Sequence, residues 1–185
     1  MNDAKNHSTE AFGLDVPALC RHGKTLQGEW PLGRMARLVE GLFDRPRVED
    51  LVTWSAQGVL QPVPGSADQL WLALQVRTSV QLQCQRCLQP MVHDLVLDRR
   101  LRFVHDEEEA ARLDEESEDD VLALPARLDL SGLIEDELIL ALPLVPRHER
   151  CTEPLPQPDE AADAAPDEAP HPFAALEALR RRDPS

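Results

Sequence analysis

Four side chains of this sequence have the types and spacing for one shared chemistry. Cys84 and Cys87 lie in the run Gln83-Cys84-Gln85-Arg86-Cys87-Leu88-Gln89-Pro90, and His148 and Cys151 follow much later in the chain. Two thiols three residues apart on a tight turn can point at one metal ion, which is half of a zinc site. An H-x-x-C would supply the other half from soft or borderline donors. The same two thiols can equally be a redox couple, or reduced structural thiols beneath a turn. A thioredoxin-like pair opens a helix after a strand, whereas here a second strand is expected after Cys87. Cys20 and His22 stand alone, and lone residues of this kind are usually packed or exposed rather than ligating.

A second group is basic. Arg77, Arg86, Arg99, Arg100 and Arg102 fall on or between two expected strands, and a sheet face carrying arginine can follow phosphates. The plain alternative is ordinary strand surface, and no aromatic residues are interleaved for base stacking. The chain has no Gly-rich phosphate loop, no G-x-S-x-G, no H-E-x-x-H and no dinucleotide fingerprint, so nothing in it argues for an enzyme.

The elements that must position these residues are read from periodicity. Residues 70 to 84 alternate strictly, with Leu70, Leu72, Leu74, Val76, Thr78, Val80, Leu82 and Cys84 on one face, the signature of a half-buried strand. Met91 to Val104 again reads as extended after the breaker Pro90, which places the cysteine pair at a turn between antiparallel strands. Val48 to Leu60 alternates as a third strand, and Pro62-Val63-Pro64-Gly65 is a turn, so the three strands form a meander. Met35, Leu38, Val39 and Leu42 make the stripe of a short helix stopped by Pro46. Leu130 to Leu142 is the best helix, with Asp129 or Ser131 as N-cap and Leu130, Leu133, Ile134, Leu138, Ala141 and Leu142 turned to the sheet. Glu135, Asp136 and Glu137 in that helix point about 100° apart in succession, so they cannot converge on one atom and read as a solvated face. Residues 1–30 carry no clear period, apart from a short extended piece at Leu26 to Trp30.

Charge divides the chain. The formal total is −15, but residues 1–105 hold twelve Lys or Arg against eleven Asp or Glu, while residues 106–185 hold seven against twenty-three. The total alone would exclude RNA too early. Ten acids fall between Asp106 and Asp120, a density read as a solvated flexible loop that solubilises the chain or docks a basic protein. Residues 152–170, rich in proline, alanine and acids, read as a disordered linker. Within 171–185, Phe173, Leu176 and Leu179 form the apolar edge of a short amphipathic helix with a basic end, a partner-binding element. No secretory leader and no membrane span is read in the sequence, so a cytoplasmic setting with reduced or metal-bound thiols is expected.

Three of these motifs, in this order, resemble the YceD family of large ribosomal RNA subunit accumulation proteins. They are the run Leu82 to Pro90 after a long strand; Asp129-Leu130 with Ile134 to Pro146, followed by His148 and Cys151; and His171-Pro172-Phe173-Ala174 with Leu176, Leu179 and the basic end. The resemblance covers about residues 30–182. It implies a bacterial cytoplasmic, non-enzymatic factor needed for normal levels of large-subunit rRNA, with relatives in plastids. It also implies a link to ribosomal proteins, since the family's genes often neighbour that of a small large-subunit ribosomal protein. Other branches of the family carry a second cysteine pair where this chain has His148 and Cys151, which makes a four-thiol zinc site plausible there.

Together these readings give an α+β domain over residues 31–151: a small antiparallel sheet, one packing helix before it and one after, and an acidic loop at 106–120. The expected function is ribosome biogenesis, with the large-subunit rRNA precursor or a ribosomal protein as partner and neither membrane nor small-molecule substrate. The alternatives are an acidic chaperone for a basic ribosomal protein without RNA contact, and a thiol redox protein using Cys84 and Cys87.

Overall fold

The alternation at residues 70–84 makes the central strand of a five-stranded sheet. The computed structural model of the chain describes residues 12–151. The strands are β1 (Phe12–Leu14), β2 (Thr25–Pro31), β3 (Leu51–Gln61), β4 (Gln69–Gln83), β5 (Pro90–Val104), β6 (Asp120–Ala123) and β7 (Leu128–Asp129). The helices are α1 (Val16–Arg21), α2 (Ala36–Glu40), α3 (Glu107–Glu116) and α4 (Leu130–Leu140), with a 3-10 turn at Leu32–Arg34. The main sheet runs β2-β3-β4-β5-β6, and β1 pairs with β7 in a separate two-stranded sheet. The expected linker at 152–170 and the terminal helix with Phe173, Leu176 and Leu179 lie outside the described residues.

Along β4 the inward residues Leu72, Leu74, Val76, Val80 and Leu82 are buried, while Gln75, Arg77, Ser79, Gln81 and Gln83 are exposed. Register carries the pattern across to β5, where Leu72 faces Leu101, Val76 faces Leu97 and Thr78 faces Leu95. Directly opposed residues share a face, so these pairs build one apolar surface. Three helices cover it: Val16 and Leu19 of α1, Leu38 of α2, and Leu130, Ile134 and Leu138 of α4 all join its core. α1 lies so close to β3 that a Cβ on Gly58 would sit 2.5 Å from the backbone carbon of Leu19. Residues 12–30, which show no clear period, thus contribute β1, α1 and the edge strand β2, with Trp30 fully packed. Their elements run only three to seven residues, too short for a period to develop.

Two expectations about the elements need correction. The acid-rich stretch expected as a loop is largely the helix α3. Asp106 caps it by accepting the Glu109 amide at 2.8 Å, and Glu107, Glu108 and Glu109 occupy the first turn, where the helix dipole favours anions. Arg112 bonds Glu116 one turn on, and Ala110 packs against Val104 and Val121 with Leu113 beside them. Like charges spaced one turn apart cost only a few tenths of a kcal/mol each, less than this capping and packing return. The second correction follows from the first. A helical crossover brings the chain back parallel to β5, so β6 pairs with it in parallel and the sheet is mixed rather than wholly antiparallel.

The acids of α4 are also not a solvated face. Asp129 caps the helix, accepting the amides of Ser131 and Gly132 at 3.1 Å each. Glu135 is 9% exposed and accepts the Arg37 and Leu38 amides at 2.7 and 3.2 Å. It therefore caps α2, which has no side-chain cap of its own. The Arg37 guanidinium closes on Glu135 and Asp136, and Glu137 takes Arg99 of β5 at 3.1 Å. These carboxylates fasten α4 to α2 and to the sheet. No helix among the described residues is long and apolar enough to cross a membrane.

Candidate metal centre

The turn between β4 and β5 closes on itself. Leu88 donates its amide to Cys84 O at 2.9 Å, and Cys84 donates to Gln89 O at 3.0 Å. To close it, Leu88 adopts φ 60°, a left-handed backbone that costs a side-chain-bearing residue about 1–2 kcal/mol. Gln83 props the turn by donating to Leu88 O at 3.2 Å. Both thiols of the turn are buried, with Cys84 fully enclosed.

The second half arrives from the far side of α4. Beyond Pro143 the chain runs back over the turn, and Pro146 O accepts the Gln85 amide at 2.9 Å. That bond places His148 and Cys151 above the two thiols. One ligand atom from each of Cys84, Cys87, His148 and Cys151 then lies within 4.8 Å of all the others. Cys84 Sγ and Cys151 Sγ are 3.8 Å apart, and Cys87 Sγ and His148 Nδ1 are 3.4 Å apart. A tetrahedron with Zn–S of about 2.3 Å and Zn–N of about 2.05 Å requires edges of about 3.8 Å between sulfurs and about 3.6 Å from sulfur to nitrogen. The Cys84–Cys151 and Cys87–His148 spacings match these edges, and all four donors lie close enough together to share one ion.

His148 is prepared for the same role. Its Nε2 lies 3.2 Å from Pro90 O, and a carbonyl only accepts, so the proton sits on Nε2. Nδ1 then presents its lone pair toward Cys87. A ligating histidine usually has its second nitrogen fixed in this way.

The thiols do not titrate alike. Burial acts to raise Cys84, but hydrogen bonds from the backbone amides of His148, Arg86 and Cys87 outweigh it and bring the thiol down to about 5. The His148 amide reaches Cys84 Sγ at 3.4 Å. For Cys87 the Gln89 amide pulls down, yet burial and the neighbouring Cys151 and Cys84 sulfurs together push it up. Sulfurs packed this closely without a cation cannot all be ionised, so one becomes a thiolate at its neighbours' expense. Arg86 stands over the cluster, donating Nε–H to Cys151 Sγ at 3.0 Å. β5 rather than a helix follows Cys87, so no helix N-terminus faces the thiols as in a thioredoxin-like pair.

The other sequence candidates do not gather in one place. Arg77, Arg100 and Arg102 lie on the sheet face opposite α1, α2 and α4, the face that α3 covers at its β6 edge, while Arg99, opposite Leu74, lies on the core face and is paired with Glu137. Arg100 stacks over the Trp71 ring at 4.7 Å, and Arg102 Nε is buried without a hydrogen-bond partner. Arg86 alone of the five belongs to the metal cluster. Its role was hidden in the sequence because its partners are more than sixty residues away, although a cation inside a C-x-x-C is itself a signal. Cys20 is in the core, donating S–H to Trp71 O at 3.2 Å, and burial raises its pKa. His22 lies 2.7 Å from Ala18 O through Nδ1.

Residues 72–180 match the family model described as large ribosomal RNA subunit accumulation protein YceD. A protein of that name from Haemophilus influenzae is 36% identical over 112 residues, covering 58% of this chain and 63% of the relative. The similarity thus spans less than two thirds of the relative's own length. No solved structure matches the chain. The matched region holds all but the first three residues of β4, the cysteine turn, β5, α4 and all four donors, and on that ground the chain belongs to the YceD family.

Proposed function

We propose that this chain is a non-enzymatic factor for accumulation of large-subunit rRNA, and that Cys84, Cys87, His148 and Cys151 hold one structural zinc ion. The observation that carries the zinc reading is the match between the donor spacings and a tetrahedral site. Four protein ligands leave no open position for substrate or water, which is how structural zinc sites differ from catalytic ones. When bound, the ion supplies a crosslink between the hairpin tip and the segment after α4. The chain's own residues assemble that crosslink: the turn buries two thiols, Pro90 O orients the imidazole, and Pro146 O holds the second half-site over the first.

The rRNA reading comes from the name of the Haemophilus relative. It is carried to this chain as contact with the rRNA precursor, a ribosomal protein, or both, in the cytoplasm. A second reading, an acidic chaperone for a basic ribosomal protein, is favoured by the exposed acids of α3. Metal analysis of full chain purified without chelator should give close to one zinc per chain, and Cys84→Ser should lose it. Well under one zinc in the wild type refutes the site. In cells lacking the native gene, the full chain should restore the ratio of large- to small-subunit rRNA. Failure to change that ratio refutes the functional reading. Co-purification at low and moderate salt separates the partners: rRNA fragments retained at moderate salt support RNA contact, and a single basic protein lost on raising salt supports the chaperone.

A further inference from the structure

Arg86 projects from the cysteine turn, and among the described residues its hydrogen bonds go to the other half of the site. Its Nε donates to Cys151 Sγ at 3.0 Å and its Nη2 to His148 O at 3.4 Å. The other donors have independent support. Cys84 and Cys87 are fixed by the closed turn, and His148 is held through Nε2 by Pro90 O and through its amide by Cys84 Sγ. Cys151 is only half-buried, and among the described residues its sulfur meets the sulfurs of Cys84 and Cys87, while Arg86 supplies it with an N–H donor from outside the four ligands. It is the donor whose place depends most on a neighbouring side chain.

Charge leads to the same residue. A zinc ion with three thiolates and a neutral imidazole carries one negative charge. A guanidinium in direct contact with one of the sulfurs balances it, and its planar fork holds sulfur and carbonyl in one fixed geometry, which the rotating donors of an ammonium do not impose. Resting on the zinc reading above, we propose that Arg86 is a positioning residue for the metal centre: it seats Cys151 as the fourth ligand and neutralises the occupied site. It governs how tightly the ion is retained without itself touching it.

The test uses the full chain and the metals alone. Zinc affinity is measured by competition with a chromogenic chelator, and cobalt(II) uptake by the thiolate-to-metal absorption band. Arg86→Gln should weaken zinc binding about 10–100-fold, the range for loss of a partner that orients a ligand. Its cobalt band should also weaken toward that of a two-thiolate site. Arg86→Lys keeps the charge but not the fork, and should fall between Arg86→Gln and wild type. Arg147→Gln removes a nearby exposed charge that contacts no donor and should bind as wild type does. Equal affinity and an unchanged band in Arg86→Gln overturn the proposal while leaving the zinc site standing. So does an equal loss in Arg86→Lys accompanied by a fall in the metal-free unfolding midpoint, because that marks a general structural role. A wild-type chain that takes up neither metal overturns the zinc reading and this one with it.

Discussion

Glu135→Ala should be among the most damaging substitutions away from the apolar core. The carboxylate accepts two backbone amides at the start of α2, at 2.7 and 3.2 Å, and the Arg37 guanidinium through Nε and Nη2 at 3.2 and 3.0 Å. Loss of an N-cap acceptor costs about 1 kcal/mol, and here two amides lose theirs. The ion pair adds less, up to about 1 kcal/mol, because Arg37 is 54% exposed and keeps Asp136 as a partner. The expected loss is therefore about 3 kcal/mol. For a unit of this size that lowers the melting midpoint by roughly 9 °C. Glu135→Gln keeps an oxygen for the amides and loses the ion pair, so about a third to a half of the effect should remain. Asp136→Asn, at an exposed position, should cost under about 0.5 kcal/mol. Urea unfolding with an unchanged slope would measure all three. If Glu135→Ala loses no more than Asp136→Asn, the carboxylate does not cap α2 in solution and the reasoning fails.

Gly58→Ala should destabilise by at least about 2 kcal/mol in the same assay, since the added carbon meets the α1 backbone at 2.5–2.7 Å and main chain cannot step aside. A neutral result would mean that α1 is not seated on β3. The Glu109 amide holds the Asp106 carboxyl below the usual range, so the cap stabilises α3 above the ordinary carboxylate pKa and is lost as pH falls through the lowered value. Amide exchange in residues 107–116 should accelerate in Asp106→Ala at pH 7, with the difference from wild type vanishing in strong acid. A difference that persists there would refute the cap. Cys20, raised by burial and bonded to Trp71 O, should resist alkylation at pH 8 in the folded chain and react once it is unfolded in urea, as peptide mass analysis would show. Rapid modification in the native state would contradict its burial.

What the sequence revealed about this fold followed how local each signal was. β3, β4 and β5 announced themselves because alternation over eleven to fifteen residues has only one physical reading. α4 was legible through Asp129 and the spacing of Leu130, Ile134 and Leu138. The four donors could be named because soft ligands are few in this chain, although only the fold shows that they meet. Glu135 was misread for the opposite reason: its partner Arg37 lies 98 positions away, and no local pattern reports it. Arg99 was placed among surface arginines because its neighbours alternate poorly, and pairing with Leu74 is what turns it to the core face. α3 escaped notice because its charges dominate its composition, while its stability comes from one cap and a few small apolar contacts.

β5 starts beside the cysteine turn at Pro90 and ends at Val104, where α3 follows. At about 3.3 Å per residue its 15 residues separate the two by roughly 45 Å. The screening length at physiological salt is about 8 Å, so the two ends of this hairpin are electrostatic strangers. Among the described residues, one end presents Arg86, Arg147 and Arg150 beside Glu149, and the other presents the ten acids between 106 and 120. The net charge of −15 is therefore not spread evenly over the sequence, and among the described residues the acids of α3 lie at the end of β5 away from the tip. Near 0.01 M salt the screening length grows to about 30 Å, and the acid end begins to repel what the tip attracts. That distant repulsion offsets only part of the gain a basic tip shows as salt is lowered, so the acids of α3 moderate its salt dependence without reversing it.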